Sequence, residues 1–343
     1  MADDSVNPFN IKRDWPEGQS LNEINLNPFM EKNNEEHLLK IRSARAIVLT
    51  GFRLYLGNFR RILRFTWLPA LLCALVSALY TNAIISAMPQ LLAGIQQAAQ
   101  GSATPMLTQG LLLTGISLLL DILLLLLLSY AFSLLSRHRS EGAIPYPARW
   151  ISTPDWRMLM RTIGIALIWM VAISIAIVIP TVVIGVGLSL QSLTMMGTGL
   201  LLLLATACLL LPLVYPSMRY LSTRDTRLFD ILFKGYRQGL RYWSTIFVIV
   251  FIIILIALVI LTVITLPAIV LFIANMQAQA GILMGDPLGM PSYMGWLAFL
   301  VFTLSGFIEA YVILSLLFPL YYMAGTIEQH EIQRNEKSAN TLY

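Results

Sequence analysis

Two carboxyl side chains lie in the middle of long apolar stretches, where they could do chemistry. Asp121 is near the midpoint of one stretch and Glu309 is near the midpoint of another, and a serine precedes each by four residues, Ser117 and Ser305. An ionised carboxyl costs several kcal/mol in hydrocarbon if it is unpaired, so such residues usually face the interior of a helix bundle and often carry function. No Lys, Arg or His lies within the apolar stretches to neutralise them. The four residues are therefore candidate intramembrane functional residues.

Two hypotheses fit this pattern. In the first, both carboxyls belong to a path for protons or cations through the bundle. In the second, they only make hydrogen bonds between helices, with Ser117 and Ser305 as local partners one helical turn away. The equivalent places of Asp121 and Glu309 in two hairpins favour a shared inner site. The sequence leaves open whether the second and sixth apolar helices face each other across a cavity.

Pairs of arginines four residues apart form a second candidate set, and each pair precedes an odd-numbered apolar stretch. The pairs are Arg60 and Arg64, Arg157 and Arg161, and Arg237 and Arg241. On a helix, this spacing puts both guanidinium groups on one face, where they could hold the phosphate of a lipid headgroup or of a substrate. The alternative is that these arginines only set the topology and extend to the headgroups.

The sequence offers no catalytic or metal-binding motif. The three histidines are scattered, without the spacing of zinc ligands, and there is no nucleophile elbow, phosphate-binding loop or dinucleotide fingerprint. Cys73 and Cys208 lie inside apolar stretches and read as small buried hydrophobes. We therefore predict no catalytic residue, no metal and no cofactor, and the charge pattern implies no nucleic-acid partner.

The elements that must position the candidate residues are membrane helices. The chain is 57% hydrophobic and only 12% charged, whereas soluble domains carry about 25% charged residues. A bilayer core of about 30 Å needs roughly 20 helical residues. Six apolar stretches meet this length: 65–88, 107–135, 162–189, 198–216, 244–275 and 296–323. The predicted fold class is an all-α polytopic membrane bundle with six transmembrane helices.

The basic residues predict which side each loop occupies. All 23 Lys and Arg residues fall in four segments, 12–64, 137–161, 219–241 and 334–337. Because basic residues accumulate on the untranslocated side, both termini are expected in the cytoplasm, with the chain in the bacterial cytoplasmic (inner) membrane. This basic face should favour anionic membrane lipids.

Four regions follow from this pattern. We predict a disordered polar head over 1–35, an interfacial amphipathic helix over 36–64, a six-span membrane domain over 65–325 and a cytoplasmic tail over 326–343. The membrane domain reads as three pseudo-repeated hairpins, each preceded by an arginine pair. The head contains two Asn-Pro-Phe triplets and is a possible binding segment for a protein partner.

One stretch carries a resemblance to known proteins. Pro212-Leu-Val-Tyr-Pro-Ser-Met-Arg-Tyr-Leu-Ser-Thr-Arg-Asp is followed by the amphipathic segment Leu228–Trp243 and a long apolar stretch. This arrangement resembles a broad group of uncharacterised bacterial six-helix membrane proteins. The group includes the membrane domain found with glycerophosphodiester phosphodiesterases. The resemblance covers roughly residues 45–325 and implies an all-α membrane fold without an established activity.

Three functions remain open at this point. The first is a transporter-like or accessory membrane component that handles a lipid or another amphiphile, with Asp121 and Glu309 inside the bundle. The second is a membrane scaffold that recruits partners through residues 1–35. The third is a lipid-modifying enzyme with a membrane-embedded carboxyl. A polar cavity that holds the carboxyls would favour the first function, and a dry bundle would favour the second.

Overall fold

The computed structural model describes residues 38–98, 104–144, 155–223, 228–283, 291 and 293–340. The predicted polar head over 1–35 and its two triplets lie outside the described residues. Nine α-helices and no strand occur within these ranges, and a short 3-10 turn, Leu211–Leu213, joins the fifth and sixth helices.

The helices are numbered in chain order. They are α1 (Ala44–Gly57), α2 (Phe59–Ala98), α3 (Thr104–Glu141), α4 (Trp156–Ser189), α5 (Leu193–Leu210), α6 (Val214–Ser222), α7 (Leu228–Arg241), α8 (Trp243–Leu283) and α9 (Met294–Asn340). Six of the described helical segments are long and apolar enough to cross a membrane. The all-α, six-span prediction is therefore confirmed, and the chain is a multi-pass membrane protein.

The bundle consists of three hairpins arranged around its last helix. Helix α2 packs along α3, α4 packs along α5, and α8 packs along α9. Helix α9 also contacts α1, α2 and α6, which makes it the central element. At the contact between α2 and α9, a Cβ on Gly306 would lie 3.5 Å from the Cα of Ala74. Small residues let these two backbones approach closely, as is common between membrane helices.

The predicted interfacial helix over 36–64 is divided into two helices. Helix α1 begins after Ser43, whose hydroxyl accepts a hydrogen bond from the Ala46 amide at 3.4 Å. It ends at Gly57, and the side chain of Asn58 donates to the Leu54 carbonyl at 3.0 Å. The next helix starts at once and continues into the first span. Arg60 and Arg64 therefore belong to the beginning of α2.

Helix α1 is docked on α9 along one side. Ile47 is fully buried, and the Tyr55 hydroxyl donates to the Tyr311 carbonyl at 2.9 Å. The ring of Tyr55 also meets that of Phe318 edge-on, with 5.1 Å between centroids. Burial raises the pKa of Tyr55, so its phenol stays protonated and able to donate. Protein packing, rather than a headgroup layer, covers this side of α1.

The beginning of the predicted tail over 326–343 is also ordered. Helix α9 runs through it as far as Asn340. Thr326 and Ile327 are almost completely buried, and Glu331 is only 8% exposed. The end of the last helix is therefore an integral part of the bundle at the end that carries Arg139, Arg219 and Arg241, which is called the basic end below.

Candidate functional site

A cavity with both polar and apolar walls lies between α2, α8 and α9, at the level of the apolar spans. Its volume is about 340 Å³. Its polar lining consists of Ser77, Thr81, Thr265, Ser305 and Glu309. The remaining lining residues are Ala268, Ile269, Phe272, Phe302 and Gly306. Two of the four predicted intramembrane residues, Glu309 and Ser305, are thus found together.

Helical spacing accounts for this lining. Ser305 and Glu309 are four residues apart on α9, and Ser77 and Thr81 are four residues apart on α2, so each pair occupies one helical face. The close contact at Gly306 brings the two faces together. Ser305 is buried, and Glu309 is partly exposed to the cavity.

The cavity is rich in hydrogen-bond acceptors. The Thr81 hydroxyl donates to the Ser77 carbonyl at 2.9 Å, and the Thr265 hydroxyl donates to the Leu261 carbonyl at 2.8 Å. Because both protons are directed to the backbone, the threonine oxygens keep lone pairs for a ligand. No ion pair of the described residues involves Glu309. Such a site suits a group that donates hydrogen bonds, above all an ammonium group or another cation.

The other predicted carboxyl does not lie in this cavity. Asp121 is exposed on the outside of α3, and the Ser117 hydroxyl donates to the Thr114 carbonyl at 2.9 Å rather than to Asp121. The two carboxyls therefore do not share this cavity, a point that the sequence left open. The reason is the packing of α3, which has no buried residue between Gln109 and Leu126 and joins the core only from Leu127 onward.

An apolar groove borders the other flank of the contact between α2 and α9. It measures about 670 Å³, and the lining of the α2 side is Leu71 and Leu75. The α9 side contributes Trp296, Leu297, Phe299, Leu300, Thr303, Leu304 and Phe307. This segment of α9 overlaps the one that lines the polar cavity. A single stretch of helix therefore offers an apolar surface on one flank and a carboxyl on the other.

The three arginine pairs differ in their exposure and in their contacts. The first members, Arg60, Arg157 and Arg237, are all exposed. Arg64 is half-buried. Arg161 donates to the Tyr220 carbonyl at 3.4 Å and also to the Thr223 carbonyl, so it fastens α4 to the end of α6.

The second member of the third pair belongs to an ion-pair network at the basic end, which sequence reasoning missed. Arg241 contacts Glu331 at 2.8 Å. Glu328 lies 3.1 Å from Arg139 and 3.6 Å from Arg219. Two acids three residues apart on α9 therefore hold three arginines that come from α3, α6 and α7. The sequence feature that could have predicted this network is the spacing of Glu328 and Glu331, but both lie in the segment predicted to be a tail.

Neutral polar groups extend the network. Gln238 donates to Glu331 at 3.3 Å, and its amide oxygen accepts from Arg219 at 3.3 Å. Burial and the nearby Glu331 carboxylate raise the pKa of Tyr242, so this phenol stays protonated and donates to the acid. These contacts position the ends of four helices but form no cavity with catalytic chemistry. Among the described residues, no group of three or more His, Cys, Asp or Glu side chains could hold a metal ion.

The chain was compared with protein-family models, curated proteins and solved structures. No family model, curated protein or solved structure matches it. The resemblance drawn from the sequence stays a prediction.

Proposed function

We propose that this multi-pass membrane protein is a transporter-like or accessory component that handles an amphiphile, with Glu309 as the residue that binds the polar group. The observation that carries the proposal is the acceptor-rich cavity of about 340 Å³ around a carboxyl within the spans. The preferred polar group is an amine or another donor of hydrogen bonds, because the cavity supplies a carboxyl and hydroxyl oxygens.

The apolar lining of the same cavity supports an amphiphile rather than a bare ion. Ala268, Ile269, Phe272 and Phe302 lie beside the polar residues of the cavity. An alkyl chain along Ile269 and Phe272 would keep its polar end beside Glu309. Cavities of this size are typical of sites for small organic ligands.

The test is photolabelling with two probes that differ only in the polar end. One is a long-chain primary amine and the other is the matching carboxylic acid, each with a diazirine in the chain. In lipid nanodiscs, the amine should label residues of the cavity about tenfold more than the acid, since a charge-assisted hydrogen bond contributes about 1.5–3 kcal/mol. Mass spectrometry of the labelled peptides gives the ratio.

Two variants make the test specific. Glu309→Gln should remove the preference for the amine. Asp121→Asn should keep it, because Asp121 is also a carboxyl within an apolar span but lies outside the cavity. Equal labelling by both probes in the wild-type protein would contradict the proposal, and so would an equal effect of the two substitutions.

A further inference from the structure

A second polar cavity lies at the basic end, between α7 and α9. It is about 440 Å³ in volume and is called the basic cleft here. Its lining consists of Lys234, Arg237, Gln238, Arg241, Glu331, Arg334, Asn335 and Ser338. The cleft shares no residue with the cavity around Glu309, so any ligand in it is independent of the function proposed above.

The charge of the basic cleft is strongly positive. Four basic side chains line it, against one acid, Glu331. That acid is already bound to Arg241 at 2.8 Å and accepts a hydrogen bond from Gln238 at 3.3 Å. Lys234, Arg237 and Arg334 are exposed. Three cationic groups therefore remain in excess, which suits an anion with several oxygens.

Topology alone does not explain this arrangement. Basic residues that only mark the untranslocated side can lie anywhere on that side. Here two helices far apart in the sequence bring their basic residues to one concave surface. A neighbouring cleft of about 420 Å³ shares Arg334 and Ser338, and there the ring of Tyr242 stacks on that of His330 with 5.6 Å between centroids.

The apolar edge of α7 indicates where the ligand comes from. Phe233 is 76% exposed and Leu240 is 48% exposed, and each is adjacent in sequence to a basic residue of the cleft. The opposite side of α7 is fixed against the bundle, because a Cβ on Gly239 would lie 3.2 Å from the Cα of Pro212. An apolar edge beside basic residues is the pattern of a helix at a lipid headgroup layer.

We infer that the basic cleft binds the phosphate of an anionic phospholipid headgroup, with the acyl chains passing over Phe233 and Leu240. Phosphate is the common chemistry of a lipid headgroup and of a soluble phosphate. The exposed apolar edge favours the lipid, since a soluble phosphate gains nothing from it.

The experiment is native mass spectrometry of the full chain titrated with phosphatidylglycerol or phosphatidylcholine. The test variant combines Lys234→Gln, Arg237→Gln and Arg334→Gln. Arg241 is kept, because its removal would leave the buried Glu331 unpaired. Phosphatidylglycerol should bind at least about tenfold more weakly to the triple variant, while binding of phosphatidylcholine stays the same.

The matched control removes the same charge elsewhere. It combines Lys40→Gln, Arg45→Gln and Arg53→Gln, three exposed residues outside the cleft and outside the arginine pairs. An equal loss of phosphatidylglycerol binding in this control would show diffuse surface attraction and overturn the inference. Displacement of phosphatidylglycerol by millimolar inorganic phosphate would assign the cleft to a soluble ligand and also overturn it. If the triple variant does not fold, the single Arg237→Gln and Arg53→Gln substitutions provide the same comparison.

Discussion

Glu331 is a buried acid whose contacts join α9 to α7. It is 8% exposed and contacts Arg241 at 2.8 Å and Gln238 at 3.3 Å. Replacement by Gln removes the charge and keeps the size, so Arg241 loses a charge-assisted hydrogen bond worth about 1.5–3 kcal/mol. We predict that Glu331→Gln lowers the midpoint of thermal unfolding in detergent by several degrees, as measured by intrinsic tryptophan fluorescence.

Glu336→Gln is the matched control for this prediction. Glu336 lies five residues further along α9 and is exposed. Surface charges contribute little to stability, so this substitution should leave the midpoint within about one degree. Equal midpoints for the two variants would show that the Glu331 contacts do not stabilise the fold.

At this scale, the two carboxyls differ in position: Glu309 lines a cavity between three helices, and Asp121 is exposed on α3. The difference lies in the helices that carry them. In α9, Ser305, Gly306 and Glu309 mark a small and polar face that a neighbouring helix can cover. Around Asp121, leucines occupy every face of α3, so the sequence does not show which face is buried. Helix rotation is then decided by packing, which composition does not reveal.

At the scale of elements, the close contact between α1 and α9 depends on Gly51. A Cβ at Gly51 would lie 2.5 Å from the Cα of Pro319, which is far inside van der Waals contact with backbone. We predict that Gly51→Ala pushes α1 away from α9 and costs about 1–3 kcal/mol of stability. Increased proteolysis between α1 and α2 and a lower unfolding midpoint are the measurements.

Gly57→Ala provides the control within the same helix. A Cβ at Gly57 would have no heavy atom within 4 Å. Because alanine favours helix over glycine, this variant should be as stable as the wild type or slightly more stable. Similar destabilisation by both substitutions would mean that helix propensity, not the contact with Pro319, controls α1.

The elements themselves differ in how well the sequence predicts them. Each span follows from an apolar stretch longer than the bilayer core requires, and no packing detail changes that result. The break at Asn58 was missed because apolar periodicity continues across it from Phe52 to Leu63. The signal was Gly57-Asn58, a pair typical of helix ends. Docking of α1 on α9 was not predictable, because its two contact surfaces are more than 250 residues apart.

At the scale of the whole molecule, the two ends of the bundle are built differently. The basic end joins α3, α6, α7 and α9 through Glu328 and Glu331. Towards the other end, α3 has no buried residue from Gln109 to Leu126, and α4 and α5 expose most of their apolar side chains. The ionic contacts therefore concentrate where the basic segments predict the untranslocated side.

This sidedness leads to a prediction for the intact protein. In a background with Cys73→Ser and Cys208→Ser, single cysteines are introduced as Leu190→Cys, between α4 and α5, or Glu336→Cys, near the end of α9. Leu190 is 63% exposed and Glu336 is exposed. A membrane-impermeant maleimide should label position 190 in right-side-out vesicles and position 336 only in inverted ones, because basic residues stay on the cytoplasmic side. Labelling of both positions from one side would contradict the six-span topology, and the reverse pattern would contradict the orientation.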